Sequence, residues 1–154
     1  MTTIHATAIA LGGRAALIRG PSGSGKSDLA LRCIGHPPTP FFAAPARLIS
    51  DDQTVVAREP DGSIWAAAPP SISGLMEVRG VGLIAVETEP RARVCLLVDL
   101  AGPAPERLPD PLPVEVILGE ALPVLRINAF EASSALKLLI ALAGHAGIAD
   151  TRFP

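Results

Sequence analysis

The stretch Gly20-Pro21-Ser22-Gly23-Ser24-Gly25-Lys26-Ser27 matches the pattern G-x-x-x-x-G-K-[ST] at every fixed position. Such a run needs an apolar strand entering and a helix leaving. Between them it needs glycines, so that backbone N–H groups turn inward around an anion at dihedrals and distances that a side chain would block. Both flanks comply. Ala15 to Ile18 is apolar and strand-like. Lys26 to Ile34 reads as a short helix with apolar residues at Leu29, Ala30, Cys33 and Ile34, stopped by Gly35 and Pro37-Pro38. Its N-terminus would point at the same anion. Lys26 is one of only two lysines, the other being Lys137. The stretch therefore implies a nucleoside triphosphate, with Lys26 on the β/γ-phosphates and the Ser27 hydroxyl on Mg2+.

The remainder of the chain sets the frame for this loop. Its 154 residues suit a single domain, expected to span 1–154. Aromatic residues make up 3% and tyrosine is absent, so the core must come from Ala, Val, Leu and Ile. A net charge of −2 argues against broad attraction to nucleic acid or anionic lipid. No apolar run reaches transmembrane length, and Met1 to His5 lacks the basic start of a signal peptide, so the expected location is cytoplasmic. Cys33 and Cys95 have no metal or disulfide spacing and read as buried free thiols.

Residues 4–11 and 15–19 around Gly12-Gly13 predict a hairpin, and further strands are expected over 47–50, 53–58 and 63–67. The segment 74–86 carries Leu75, Val78, Val81, Leu83, Ile84 and Val86 around Gly80 and Gly82, and the continuous run 94–98 predicts a strand buried on both faces. A proline-rich surface connection covers 101–113, and short strands are expected over 114–118 and 124–127. Asn128 with Glu131 in capping-box spacing predicts a last helix from Ala129 to Ala143. Being apolar nearly all round, that helix belongs either deep in the core or in a subunit interface.

A phosphate-binding loop needs an acidic partner at the end of a neighbouring strand. Asp99, after Leu96-Leu97-Val98, has that pattern, and so has Asp51-Asp52, after Leu48-Ile49-Ser50. The residues alone leave both open.

Four elements, in this order, resemble the C-terminal catalytic domain of bacterial HPr kinase/phosphorylases. They are His5 in Ile4-His5-Ala6, the loop from Ser22 through Ser27 to Asp28, the run Leu48-Ile49-Ser50-Asp51-Asp52, and Met76-Glu77-Val78-Arg79-Gly80-Val81-Gly82-Leu83-Ile84. The resemblance implies an α/β fold: a mixed β-sheet core carrying the loop, like that of HPr kinase and phosphoenolpyruvate carboxykinase, with a C-terminal helix. It implies an ATP- and Mg2+-dependent protein-serine kinase acting on the phosphocarrier HPr, with phosphorolysis of seryl-phosphate HPr as a reverse activity. It also implies assembly as a homo-oligomer, usually a hexamer, and a short form without the family's N-terminal domain.

The resemblance favours Asp51-Asp52 over Asp99. It assigns Asp51 as acceptor of the seryl proton with His5 beside it, Asp52 and Glu77 to the metal with Ser27, and Arg79 as a phosphate clamp. The alternative for Arg79 is a pair with Glu77 along the strand. One departure is visible: the family's mobile glycine-rich loop is replaced by the shorter Val86 to Arg93, where Arg91 and Arg93 are the candidate substitutes. Two other readings compete, a catalytically impaired nucleotide-binding sensor of the phosphotransferase system and a small-molecule kinase with Arg91 and Arg93 as a lid.

Overall fold

The computed structural model describes residues 1–109 and 111–145. The strands are β1 (Thr2–Ile4), β2 (Ala6–Leu11), β3 (Arg14–Arg19), β4 (Arg47–Ser50), β5 (Thr54–Arg58), β6 (Ile64–Ala67), β7 (Leu75–Val78), β8 (Gly82–Ala85), β9 (Arg91–Asp99), β10 (Val114–Ile117) and β11 (Glu120–Arg126). The helices are α1 (Lys26–Ile34) and α2 (Ser134–His145), with a 3-10 turn over Pro70–Ile72.

Nine strands form one mixed sheet: seven run in the order β1-β5-β6-β9-β3-β2-β4, β11 joins beside β9 with β10 paired to it, and β7-β8 is a separate hairpin. β2 and β3 pair antiparallel from Ala6↔Arg19 to Leu11↔Arg14, as the Gly12-Gly13 turn predicts. β4 lies antiparallel to β2, and β9 lies parallel to β3 with Arg19 beside Asp99. The other edge of β9 is shared by β6 near its start and by β11, in parallel, near its end. The start of β2 and the ends of β3, β4, β9 and β11 therefore meet at one edge of the sheet.

Alternation along the strands divides the core. Ile9, Leu11, Ala16, Ile18, Leu96 and Val98 pack with α1 and α2, whereas Ala8, Ala10, Leu17, Val94 and Leu97 face Val56, Ile64, Leu122 and Val124. Every residue of β2 is buried, so the near-continuous apolar composition of the central strands reflects cover on both faces. Cys33 is buried and Cys95 half-buried, both as free thiols. No helix among the described residues is long and apolar enough to cross a membrane.

Several boundaries differ from the sequence expectation. The strand expected over 4–11 breaks at His5, which leaves the ladder to meet Asp52. The strand at 124–127 is the end of the longer β11, paired with β10 across a turn at Leu118-Gly119. β9 begins at Arg91, so the connection after β8 is brief. It is tied down by Glu89 N–H donating to Leu48 O at 2.9 Å.

The last helix starts at Ser134, not Ala129, and the capping box does not form. Asn128 Oδ1 instead accepts the Phe130 N–H at 3.0 Å, and the Glu131 carboxylate pairs with Lys137 at 2.8 Å. The reason lies in α1. Arg32 donates to Ala129 O, to Glu131 O at 3.4 Å and to Ser134 Oγ at 2.7 Å, holding 129–134 in turns. α2 itself buries Ala135, Leu138, Leu139 and Leu142 within the chain, which realises the first of its two expected roles.

Candidate phosphate-loop and acidic site

The glycine loop leaves β3 at Gly20 and enters α1 at Gly25, whose φ is 97°. That left-handed backbone favours glycine. Space requires it too, because a β-carbon there would stand 3.1 Å from Ala129 Cβ and 3.4 Å from Phe130 Cε1. Lys26 is 5% exposed, and its ammonium donates to Gly20 O at 2.8 Å and Pro21 O at 3.1 Å. A buried cation needs such partners. Here they are the carbonyls of the loop itself, so the amine lies across the loop's own mouth. Ser24 Oγ is buried with no hydrogen-bond partner among the described residues, an exception to the rule that buried polar atoms are paired.

Across from the loop stands the acidic doublet. Ser27 Oγ donates to Asp51 Oδ1 at 2.6 Å. Thr7 Oγ1 donates to the same oxygen at 3.3 Å, and Glu77 N–H donates to Asp51 Oδ2 at 3.3 Å. Asp51 is thus turned inward toward α1. Asp52 is turned the other way: its φ of 65° is left-handed, its N–H donates to Thr7 Oγ1 at 3.1 Å, and its Oδ1 lies 2.6 Å from His5 Nε2. Both partners of this His–Asp pair are partly exposed, within reach of a second molecule. Thr7, wholly buried, is the hinge between the two carboxylates, and sequence reasoning missed it. The available signal was a hydroxyl in the otherwise apolar run Ala6-Thr7-Ala8-Ile9, because a buried polar group must find a partner.

Other expected residues fall differently. Asp99 receives Arg19 at 2.8 and 3.1 Å, and the same guanidinium reaches Glu115 at 2.5 and 3.0 Å. The hydrogen bond with Glu115, and then those with Asp99, raise the guanidinium above its already high ordinary pKa, and Glu115 is lowered in turn. Asp99 is therefore committed to Arg19, which leaves Asp51 as the carboxylate on Ser27. Asp28 turns to Arg32 at 2.9 Å on the outer face of α1. Glu77 and Arg79 line an open concavity of about 480 Å³ over the β7–β8 hairpin, and no Glu77–Arg79 ion pair forms.

Arg91 and Arg93 are not lid residues. Arg91 pairs with Glu59 at 2.6 Å and stacks on Trp65 at 4.4 Å, and Arg93 pairs with Glu120 at 3.2 Å. Arg93 is level with Arg14, at the end of β3 remote from the glycine loop.

Hydroxyl and carboxylate oxygens suit Mg2+, which is usually held by one or two protein oxygens and completed by substrate phosphates and water. Ser27 and Asp51 fit that requirement, and the Glu77 backbone adjoins them.

The sequence profile of the HPr Serine kinase C-terminal domain matches residues 1–93. The chain belongs to that family. Among curated relatives, the HPr kinase/phosphorylase of Geobacillus thermodenitrificans is 33% identical over 123 residues, covering 74% of this chain and 37% of that protein. The HPr kinase/phosphorylase of Geobacillus kaustophilus is 33% identical over 139 residues, covering 82% of this chain and 42% of that protein. The chain thus spans well under half the length of these relatives. The solved HPr(Ser) kinase/phosphatase from Coxiella burnetii superposes with a TM-score of 0.71 at 22% identity, over 96% of this chain and 92% of that one. It shares the fold, a mixed sheet core with a C-terminal helix.

Proposed function

We propose that this HPr-kinase-family chain transfers the γ-phosphoryl group of ATP to a serine hydroxyl of the phosphocarrier HPr. The observation that carries the reading is the split of the acidic doublet at the mouth of the loop, with Asp51 on Ser27 at 2.6 Å and Asp52 on His5 at 2.6 Å. Two carboxylates in two environments take two roles. Asp51 and Ser27 would hold Mg2+, with Glu77 adjoining. Asp52, backed by His5, would take the seryl proton. This division reverses the one the resemblance suggests, and the hydrogen-bond geometry supports the reversal.

In the forward step the serine oxygen attacks the γ-phosphorus, the bond to the ADP oxygen breaks, and the seryl proton passes to Asp52. Lys26 leaves its loop carbonyls to neutralise charge on the transferring group, and inward N–H groups of the loop hold the phosphates. Bound Mg2+ would supply further neutralisation of the phosphate oxygens. Run backwards, inorganic phosphate attacks the seryl-phosphate, pyrophosphate forms, and Asp52 returns the proton. Arg79, on the exposed rim, would meet a phosphate oxygen of the incoming partner. Homo-oligomeric assembly, with a hexamer as the implied size, and a cytoplasmic location are part of the same proposal.

The test incubates the purified chain with HPr, ATP and Mg2+. Seryl-phosphate HPr is expected from the wild type and is expected to vanish in Lys26→Ala and Asp52→Asn. Asp52→Asn should still bind ATP, whereas Asp51→Asn should raise the Mg2+ concentration needed for half activity. Tight ATP binding without transfer by the wild type would replace this reading with a nucleotide sensor.

A further inference from the structure

Resting on the reading that the loop binds a nucleoside triphosphate, we propose that Phe130 is the stacking platform for the nucleobase. Phe130 is 75% exposed in a chain whose aromatic content is 3%, yet its backbone is tied down on both sides. Its N–H is bonded to Asn128 Oδ1 at 3.0 Å, and Arg32 grips the flanking carbonyls of Ala129 and Glu131. Ser134 Oγ, from the first turn of α2, shares its one proton between the same two carbonyls, at 3.0 and 2.8 Å. An apolar ring three-quarters open to water gains little for folding from that position.

Its neighbours supply the use. The ring edge lies against Gly25, with Cε1 and Cζ 3.4 and 3.5 Å from where a β-carbon would stand. Sheet order supplies the direction. On one side of β3 lie β2 and β4, carrying Thr7 and Asp51; on the other lie β9 and β11, and Phe130 follows β11. A triphosphate whose terminal group faces Asp51 and Asp52 must send its nucleoside away from that flank, toward the segment 127–131. There Ile127 N–H is stitched to Asp99 O at 3.3 Å and Leu100 N–H to Arg19 O at 3.0 Å, a rigid floor. An aromatic face pre-organised beside a phosphate loop stacks any base, because every base has a π-face, and removing such a ring weakens binding about tenfold.

The experiment measures dissociation constants of ATP, GTP and inorganic tripolyphosphate by calorimetry, with Mg2+, for wild type, Phe130→Leu and Phe130→Trp. Phe130→Leu is expected to weaken ATP and GTP alike by about tenfold and to leave tripolyphosphate unchanged. Phe130→Trp is expected to retain ATP affinity, and its added fluorescence should be quenched by ATP and not by tripolyphosphate. Equal ATP affinity in wild type and Phe130→Leu overturns the proposal. So does an equal loss for tripolyphosphate, which would make the ring a prop of the loop. A change confined to HPr affinity or to self-association would assign the ring to a protein contact and also overturns it. A wild type that binds neither nucleotide nor tripolyphosphate fails at the underlying reading instead.

Discussion

Replacing Arg32 by leucine removes the tie between α1 and the turns that precede α2. The guanidinium makes four contacts: Asp28 at 2.9 Å, Ser134 Oγ at 2.7 Å, Glu131 O at 3.4 Å, and Ala129 O. Hydrogen bonds with a charged partner are worth roughly 1.5–3 kcal/mol each, so a simple sum would exceed 6 kcal/mol. The structure argues for less. After Arg32 is gone the Ser134 hydroxyl can still donate to Ala129 O, and the Ser134 N–H still donates to Glu131 O at 3.2 Å, so neither carbonyl is orphaned. The Asp28 carboxylate is 64% exposed, and an exposed i,i+4 pair is worth only about 0.5 kcal/mol. What remains is about 2 kcal/mol, carried by the turn, equivalent to a fall in Tm of about 4–8 °C in a chain of this size. Urea and thermal melts followed by far-UV circular dichroism on wild type, Arg32→Leu, Asp28→Asn and the double variant would measure it. The expected coupling between Arg32 and Asp28 is about 0.5 kcal/mol or less. The reasoning is refuted if Arg32→Leu melts with the wild type, or if Asp28→Asn alone reproduces the loss.

Two further outcomes follow from ionisation. Burial pushes the Cys33 thiol up to about 12, so in the folded chain at pH 8 it should resist alkylation until denaturant is added, while reacting at the ordinary rate in urea; rapid native-state labelling of Cys33 would contradict this. The hydrogen bond from Arg19 lowers the Glu115 pKa, so its stabilising contribution is full above the ordinary glutamate range and is lost as pH falls through the lowered value. Wild type should therefore lose more stability than Glu115→Gln in melts taken between about pH 5 and pH 3.

What could be read from the sequence was whatever short-range rules decide. The glycine loop, the hairpin across Gly12-Gly13 and α1 rest on motifs a few residues long, and β9 declares itself by its unbroken apolar run. The site's inner arrangement rests on contacts far apart in the chain. Thr7 meets Asp51 across 44 positions, and His5 meets Asp52 across 47. Nothing local says that two adjacent aspartates face opposite ways; the left-handed backbone at Asp52 does that, and it is held by the Thr7 hydroxyl. α2 starts at Ser134 and not at the expected Ala129 for the same reason. Asn128 and Glu131 have capping-box spacing, yet Arg32, 97 positions before Ala129, takes the backbone carbonyls first. Arg91 and Arg93 looked free in sequence because Glu59, Trp65 and Glu120, which engage them, are brought near only by sheet pairing.

The position of β9 between β6 and β3 has a consequence for how the molecule is made. Until Arg91–Asp99 emerges from the ribosome, the strands of the main sheet that precede it can form only two three-stranded pieces, β1-β5-β6 and β3-β2-β4. Each then shows an open, largely apolar rim, the kind of edge on which other chains pair and aggregate. Insertion of β9 closes both rims at once through partners distant in sequence, an intrinsically slow event. The nascent polypeptide is thus most vulnerable just before its central strand arrives.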